Sequence, residues 1–182
     1  MPKVIEKVRE QLLEEVRRQI TERGYSQTTI RSVASACNLG VGTVYNYFQS
    51  KDMLIATVVV EDWKLCMQRF MKEQPDGKTT SAKETLNLIY TMLQTFEEEH
   101  KTLFTDPEAV KKFSSGFNER HAILRNQIAQ FILPTCLESC QEGCKENQDP
   151  QFLSQFIAEA LLTWFVAKVP FENLYAILKK LI

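Results

Sequence analysis

Residues 41–48 read VGTVYNYF, a short aromatic stretch without acidic side chains. They follow a turn at Asn38-Leu39-Gly40, and a short segment with helical spacing of apolar residues precedes that turn. Two short helices joined by a tight turn, the second with an aromatic end, form a helix-turn-helix. In that motif the second helix lies in the major groove of DNA. The stretch therefore predicts a recognition helix over residues 41–48.

The residues before this stretch predict the rest of a three-helix head. Apolar residues recur every fourth position from 8 to 20 and predict a first helix over residues 3–23, which Gly24 ends. Thr28 or Thr29 can cap a second helix, because a threonine oxygen accepts a hydrogen bond from an amide of the first turn. Asn38 can take the positive φ that the tight turn requires.

The residues after position 50 predict an all-α body of about six further helices. Proline, glycine and capping residues place their boundaries. The first of these predicted helices covers residues 51–73 with Ser50 as cap, the second runs from the Ser81–Glu84 capping box to about 103, and the third runs from Asp106-Pro107 to about Gly116. The fourth covers residues 118–144 with a kink at Pro134, the fifth runs from Asp149-Pro150 to Pro170, and the sixth covers residues 171–181. We therefore expect two domains, a helix-turn-helix domain over residues 1–50 and a helical effector-binding and dimerisation domain over residues 51–182.

Charge and composition narrow the class of protein. The first 51 residues carry eight basic and five acidic side chains, a net charge of +3 against −1 for the whole chain. A basic end is a weak signature of contact with nucleic acid, and ordinary solvated helix faces explain it equally well. No apolar run is long enough to span a bilayer, and charges interrupt the N-terminus, so we expect a cytoplasmic protein without a membrane partner.

Residues 24–54 resemble the tetracycline-repressor (TetR) family of bacterial transcription regulators. The matching elements are Gly24-Tyr25, Thr28-Thr29-Ile30, Val33-Ala34, residues 42–48, and Ser50-Lys51-Asp52 with Leu54. The resemblance implies a three-helix DNA-binding head on a helical body. It also implies a homodimer joined by a four-helix bundle of the last two helices of each subunit, and a small ligand in the body that releases DNA.

The resemblance and the side-chain chemistry together assign a DNA-binding surface. Thr43, Tyr45, Tyr47 and Lys51 match the family's DNA-contacting positions, and their hydroxyl and ammonium groups can donate to phosphates. The further candidates are Gly42 for close approach of the backbone to a phosphate, Thr29 for the DNA backbone, Arg31 for guanine or phosphate, Val41 for a thymine methyl group, and Asn46 for adenine. For Val44 and Phe48 we expect packing within the head instead.

Two positions depart from the family's pattern. Gly40 stands where the family often has serine, so the recognition helix lacks a capping hydroxyl, at a cost of up to about 1 kcal/mol. Val41 stands where a polar residue is frequent, and it cannot form a hydrogen bond with a base. We therefore expect base specificity to depend in part on DNA shape.

The last two predicted helices have the apolar character of a dimer surface. The helix predicted from Asp149-Pro150 to Pro170 carries one narrow polar stripe, at Gln151, Gln155, Glu159 and Thr163. It is otherwise so apolar that it must be buried on most sides. The expected dimer contacts are Phe152, Phe156, Ile157, Leu161, Trp164, Phe165, Leu174 and Leu178.

An effector pocket would lie between helices of the body, where helical proteins often bind ligands. The candidate residues are aromatic: Trp63, Phe70, Tyr90, Phe96, Phe104, Phe113 and Phe117. For any single one of them, packing in the core is the favoured interpretation.

Neither an enzyme nor a metal protein is indicated, and we expect no cofactor. The sequence has no glycine-rich phosphate loop, nucleophile elbow or metal motif, and His100 and His121 stand alone. Cys136, Cys140 and Cys144 recur every fourth residue. Three thiols on one helix face make a poor tetrahedral site, so packing as small apolar residues is favoured over metal or redox sensing.

The sequence thus predicts a homodimeric TetR-type transcription regulator, foremost a repressor. It would bind a near-palindromic double-stranded DNA operator and be released by an unidentified small-molecule effector. Two alternatives stay open, a ligand-independent DNA-binding dimer and a helical protein-interaction module.

Overall fold

The computed structural model describes residues 2–73, 81–114, 117–141 and 149–182, and every regular element in these ranges is helical. The helices are α1 (Pro2–Gln27), α2 (Ile30–Ala36), α3 (Val41–Tyr47), α4 (Lys51–Glu73), α5 (Ala82–Glu99), α6 (Lys101–Phe104), α7 (Pro107–Ser114), α8 (Phe117–Gln141), α9 (Pro150–Val166) and α10 (Phe171–Leu178). The all-α prediction is confirmed. None of these helices has the length and apolar character that a membrane crossing requires.

The chain forms two compact units. The first contains Met1–Arg69 and Phe96–Ser115, and the second contains Phe70–Thr95 and Gly116–Ile182. The first unit therefore holds the expected head together with most of α4 and with α6 and α7. The division into domains after residue 50 stays a prediction.

One apolar core holds the first unit together. It contains buried side chains from α1, α2, α3, α4, α6 and α7, among them Val33, Ile55 and Leu103. The seven-residue α3 is too short to be stable alone, because isolated helices of this length are marginal in water. Burial of Val44 and Phe48 in the core holds α3 in place. The prediction that these two side chains pack inside the head is confirmed.

The start of α2 follows the predicted capping signal. The Thr29 hydroxyl accepts a hydrogen bond from the Ser32 amide at 3.0 Å, and the Ser32 hydroxyl accepts one from the Thr29 amide at 3.0 Å. Ser32 Oγ also lies 2.6 Å from Oε1 of the buried Gln19, to which it donates. This bond ties α2 to α1. At the far end of α2, Asn38 has a φ of 55°, as the tight turn requires.

The first helix breaks at Gly24, as the sequence predicted, and a further short turn that the sequence did not predict continues to Gln27. Gly24 has a φ of 76° and a ψ of −177°, a backbone conformation that glycine adopts readily and other residues do not. The Asp106 carboxylate accepts hydrogen bonds from the amide and the hydroxyl of Ser26, both at 2.8 Å. These bonds stabilise the extra turn that the sequence alone did not indicate.

Two other helix ends differ from the predictions. The helix expected to reach residue 103 ends at Glu99, because His100 leaves helical geometry (φ −111°, ψ 17°) and the separate helix α6 follows. The last helix ends at Leu178, where the amides of Lys180 and Leu181 close tighter turns. The helix expected over 118–144 is described as Phe117–Gln141 and includes Pro134; residues 74–80 and 142–148, with Cys144 among them, lie outside the described ranges.

The second unit contains α8, α9 and α10, with α9 packed against both of the others. Two predicted caps are present. The Ser81 hydroxyl accepts from the Glu84 amide at 3.3 Å, and the Glu84 carboxylate accepts from the Ser81 amide at 2.9 Å. Asp149 accepts from the Gln151 amide at 2.9 Å and so caps α9.

Gly24→Ala should destabilise the first unit. Alanine is strained at a φ of 76°, and its Cβ would lie 3.1 Å from Asp106 Oδ2. We expect the free energy of unfolding to fall by about 1–3 kcal/mol, measured by urea denaturation followed by circular dichroism.

Gly40→Ser is the matched control for this variant. Gly40 has a φ of −71°, and the nearest atom to a Cβ there is Thr43 Oγ1 at 3.8 Å, so serine fits without strain. If Gly24→Ala left the unfolding free energy unchanged, the kink would not depend on glycine.

Candidate DNA-binding site

Helix α3 has one face in the core and one face in solvent. Val44 and Phe48 lie in the core, and successive residues are rotated by about 100° around the helix axis, so the opposite side is exposed. The exposed residues are Val41, Gly42, Tyr45 and Asn46, and half of the Tyr45 side chain (52%) is accessible to solvent. Four of the predicted DNA-contacting residues therefore share one outward face.

The other predicted contacts lie beside this face. Thr43 and Tyr47 are half-buried, and the Tyr47 ring packs against the core of the first unit. Thr29 and Arg31 are exposed at the start of α2, which packs against α3. Gly40 precedes α3 and provides no side-chain cap, as the sequence predicted.

Lys51 opens α4 and is half-buried against an aromatic ring. Its Nζ lies 3.8 Å from the centroid of the Tyr25 ring, which is close contact for a cation on a π face. Burial lowers the pKa of the ammonium group, while the negative charges of Glu108, Asp52 and Asp106 oppose that shift. The sequence pattern did not indicate the contact with Tyr25.

Two ion pairs join α1 to α4. Arg9 lies 2.7 Å from Glu61, and Arg17 lies 2.6 Å from Asp62. The Asp62 carboxylate also faces His100 Nε2 at 3.0 Å. Burial of Asp62 opposes ionisation, but hydrogen bonds and positive charge from His100 and Arg17 outweigh it and lower the pKa of this carboxyl group. His100, which stood alone in the sequence, thus belongs to a network that reaches α1.

Three of the aromatic residues predicted for an effector pocket gather around His100 in the first unit. Trp63 packs edge-on against Phe96, with ring centroids 5.1 Å apart. Phe96 and Phe104 lie 4.3 Å and 6.0 Å from the His100 ring. We call Trp63, Phe96, His100 and Phe104 the aromatic cluster.

The remaining pocket candidates are elsewhere. Tyr90 is in the second unit, where its hydroxyl donates to the Val169 carbonyl at 2.5 Å and its ring packs against Phe165 and Phe171. Phe70 is half-buried in the same unit. The side chains of Phe113 and Phe117 lie outside the described residues. The predicted pocket residues therefore do not form one group.

The predicted dimer residues divide into two classes. Ile157, Leu161, Leu174 and Leu178 are buried in the single chain and belong to its own core. Trp164 and Phe165 are half-buried. Phe152 and Phe156 remain 69% and 51% exposed, and the exposed Val166 and Ile177 were not among the predicted contacts. Helical periodicity separates a polar from an apolar face, but it does not tell which apolar residues a neighbouring helix covers.

The described cysteines of α8 have the environment of packed thiols. Cys136 is fully buried, and burial raises its pKa to about 11, so it is a neutral thiol near pH 7. Cys140 is half-buried, and Cys144 is not among the described residues. In the part of the chain that the structure describes, no group of three or more His, Cys, Asp or Glu residues could hold a metal ion.

Comparison with known proteins identifies the head. The family model described as bacterial regulatory proteins, tetR family, matches residues 12–58, the span that contains α2, α3 and the first turns of α4. These residues belong to the TetR family. Residues 12–58 therefore form a DNA-binding domain of the type found in these bacterial regulatory proteins.

Solved structures share the fold over nearly the whole chain. RolR, in a structure described as without ligand, is 16% identical, with 94% of this chain and 89% of that chain covered and a TM-score of 0.68. Salmonella enterica GusR is 17% identical over 94% and 95%, with a TM-score of 0.60. The fatty acid degradation regulator FadR from Bacillus halodurans is 18% identical over 95% and 93%, with a TM-score of 0.57. At these identities the likeness shows the fold. No curated protein matches the sequence.

Gly42→Ala should have opposite effects on the stability of the protein and on its affinity for DNA. Nothing lies within 4 Å of a Cβ built at Gly42, and alanine favours a helix more than glycine does, so stability should rise by up to about 1 kcal/mol. If the DNA backbone approaches this position, the added methyl group should nevertheless weaken DNA binding, as measured by fluorescence anisotropy.

Gly40→Ser again serves as the control, because it adds a side chain two residues away, just before α3. We expect it to keep DNA affinity close to that of the unmodified protein. Unchanged affinity in Gly42→Ala would place the DNA backbone away from this part of α3.

Proposed function

We propose that this protein is a transcriptional repressor that binds a near-palindromic operator as a homodimer and is released by a small ligand. The observation that carries the proposal is the outward face of α3, formed by Val41, Gly42, Tyr45 and Asn46 on a head of the TetR type. Two such heads in one dimer would enter successive major grooves about 34 Å apart.

The chemistry of the face suggests mainly contacts to the DNA backbone. Helix α3 has no charged residue, so base reading falls to Asn46, with Val41 against a thymine methyl group. Positive charge comes from Arg31 and Lys51 on the neighbouring helices. If each neutralises one phosphate per head, a dimer makes four such contacts, and the logarithm of the binding constant should fall with the logarithm of salt concentration with a slope of about −4.

Exposed apolar side chains on α9 and α10 support a homodimer. Phe152 and Phe156 are one helical turn apart, and Val166 lies about four turns from Phe152, so the three share one side of α9. Phe152 and Phe156 form an exposed apolar pair of the kind that is typical of protein interfaces, and the exposed Glu159 and Thr163 lie between this pair and Val166. Glu159 lies on the same side and is paired with Arg125 of α8 at 3.3 Å, which reduces the cost of covering it.

The aromatic cluster is our candidate for the place where a ligand acts. It lies in the first unit, and His100 connects it through Asp62 to Arg17 of α1. A ligand that displaced His100 would alter this connection to the head. To release DNA, the ligand must bind the DNA-competent state less tightly than the released state.

Specific DNA binding is tested with the duplex upstream of the protein's own reading frame. We expect tight binding in fluorescence anisotropy, resistance to an unrelated competitor duplex, and the salt slope given above. A Tyr47→Ala, Lys51→Ala variant should lose most of the affinity, because it removes one hydroxyl and one charge from each head.

Two outcomes would contradict this proposal. Equal, weak binding to both duplexes would mean that the head does not recognise a site upstream of its own gene. No binding at low salt would exclude a DNA-binding role. The bound complex also serves to screen for the ligand, since a releasing compound lowers the anisotropy and raises the Tm of the free protein.

The homodimer is tested with Phe152→Glu, Phe156→Glu, which places two charges per subunit in the proposed interface. We expect a monomer in size-exclusion chromatography with light scattering and a large loss of operator affinity, since both half-sites can no longer be bound together. The fold should survive because both side chains are exposed in the single chain.

Val110→Glu is the matched control, because Val110 is 53% exposed on α7 in the other unit. It should remain dimeric. A dimer that persists in the double phenylalanine variant would place the interface on another surface.

A further inference from the structure

Tyr25 belongs to the core of the first unit, and its ring and hydroxyl also contact charged side chains. Its side chain is buried, with only 3% of its surface exposed, and it follows directly after the kink at Gly24. The ring faces the Lys51 ammonium group at 3.8 Å, and the hydroxyl donates to the Asp52 carboxylate. One aromatic side chain from the end of α1 thus contacts the first two residues of α4.

The kink explains how the ring reaches this position. Gly24 turns the chain with its positive φ, and Asp106 holds the next residue but one, Ser26, through two hydrogen bonds. Asp52, on the other side, also lies 3.9 Å from Lys112 Nζ, and its position is therefore supported from α7. The Tyr25 side chain is therefore held between the kinked end of α1 and the Asp52 carboxylate.

We propose that Tyr25 is a positioning residue for DNA binding: its ring holds the Lys51 ammonium group at the start of α4, ready to contact a phosphate. The inference rests on the contact between Lys51 and DNA that the proposed function includes. A lysine side chain is normally mobile, and restricting it before binding reduces the conformational entropy that complex formation removes.

The carboxylates around Lys51 give the contact with the Tyr25 ring a role in fixing the position of the ammonium group. Burial lowers the pKa of the Lys51 ammonium group, and the negative charges of Glu108, Asp52 and Asp106 oppose this shift. The same carboxylates would draw the ammonium group inward if nothing fixed its place. Most of the Asp106 carboxylate is already occupied by amide donors of Ser26, Glu108 and Ala109. The Tyr25 face is thus the contact that defines where Lys51 stays.

A double-mutant cycle on operator binding tests the proposal. Lys51→Ala should weaken binding about tenfold and reduce the steepness of the salt slope by about two in a dimer, because one phosphate per head is no longer neutralised. Tyr25→Leu leaves the Lys51 charge in place but no longer holds it, so it should weaken binding by a smaller factor and reduce the slope by less. In the double variant the two effects should not add, because both act on the same interaction with DNA.

Tyr25→Phe is the matched control, since it keeps the ring face and removes only the hydroxyl bond to Asp52. It should retain the salt slope of the unmodified protein. Full additivity in the cycle, or tighter DNA binding by Tyr25→Leu, would overturn the proposal, because the ring would then be unrelated to the phosphate interaction or would hold the lysine away from DNA.

A nuclear magnetic resonance measurement on the unmodified protein avoids any dependence on how the variants fold. The Lys51 Hε signals, assigned by their absence from the spectrum of Lys51→Arg, should be shifted upfield by the Tyr25 ring and should remain so in the operator complex. Their return to ordinary lysine positions on DNA binding would overturn the proposal. If Lys51→Ala left affinity and slope unchanged, the phosphate contact would be wrong, while operator binding by the unmodified protein would still stand.

Discussion

Burial of apolar side chains from six helices in one core is the constraint on which the first unit depends. A helix of seven residues has little stability of its own, so the direction of α3 is set by the two side chains it buries, Val44 and Phe48. Because Val44 points inward, Gly42 and Asn46, which lie about 160° from it around the helix, point outward, and Val41 and Tyr45 are exposed beside them. The candidate DNA-binding face is therefore the reverse side of a core contact, and its orientation depends on how α3 packs against its neighbours.

Polar contacts add the orientation that apolar packing does not supply. Within the described ranges, no buried side-chain nitrogen or oxygen lacks a hydrogen-bond partner. Asp62 joins α1, α4 and the end of α5 through Arg17 and His100, and Asp106 joins α7 to the kinked end of α1. Each of these carboxylates serves more than one helix. Asp62 also contacts His100 of the aromatic cluster, so it connects that cluster to α1.

Local signals were sufficient wherever a boundary depends on neighbouring residues. Thr29, Ser81 and Asp149 cap helices as predicted, and the positive φ of Asn38 follows from its place in a tight turn. The predictions failed where a residue distant in sequence intervenes. Gly24 breaks α1 as predicted, but the turn beyond it, which Asp106 holds, was not predicted, and the helix after Ser81 stops at Glu99, where His100 contacts Asp62. No pattern within a short window contains these partners.

The sequence by itself determined an all-helical chain, the start of most of its helices and a helix-turn-helix near the N-terminus, because periodicity and capping are properties of adjacent residues. It also named the residues of the outward face of α3. Only the tertiary structure decided that Lys51 rests on Tyr25, and that Trp63, Phe96 and Phe104 gather around His100 while Tyr90 does not. It likewise decided that Phe152 and Phe156 stay exposed where Ile157 and Leu161 are covered. The physical reason is that a helical pattern shows which side of a helix is apolar, whereas burial depends on which other helix packs there.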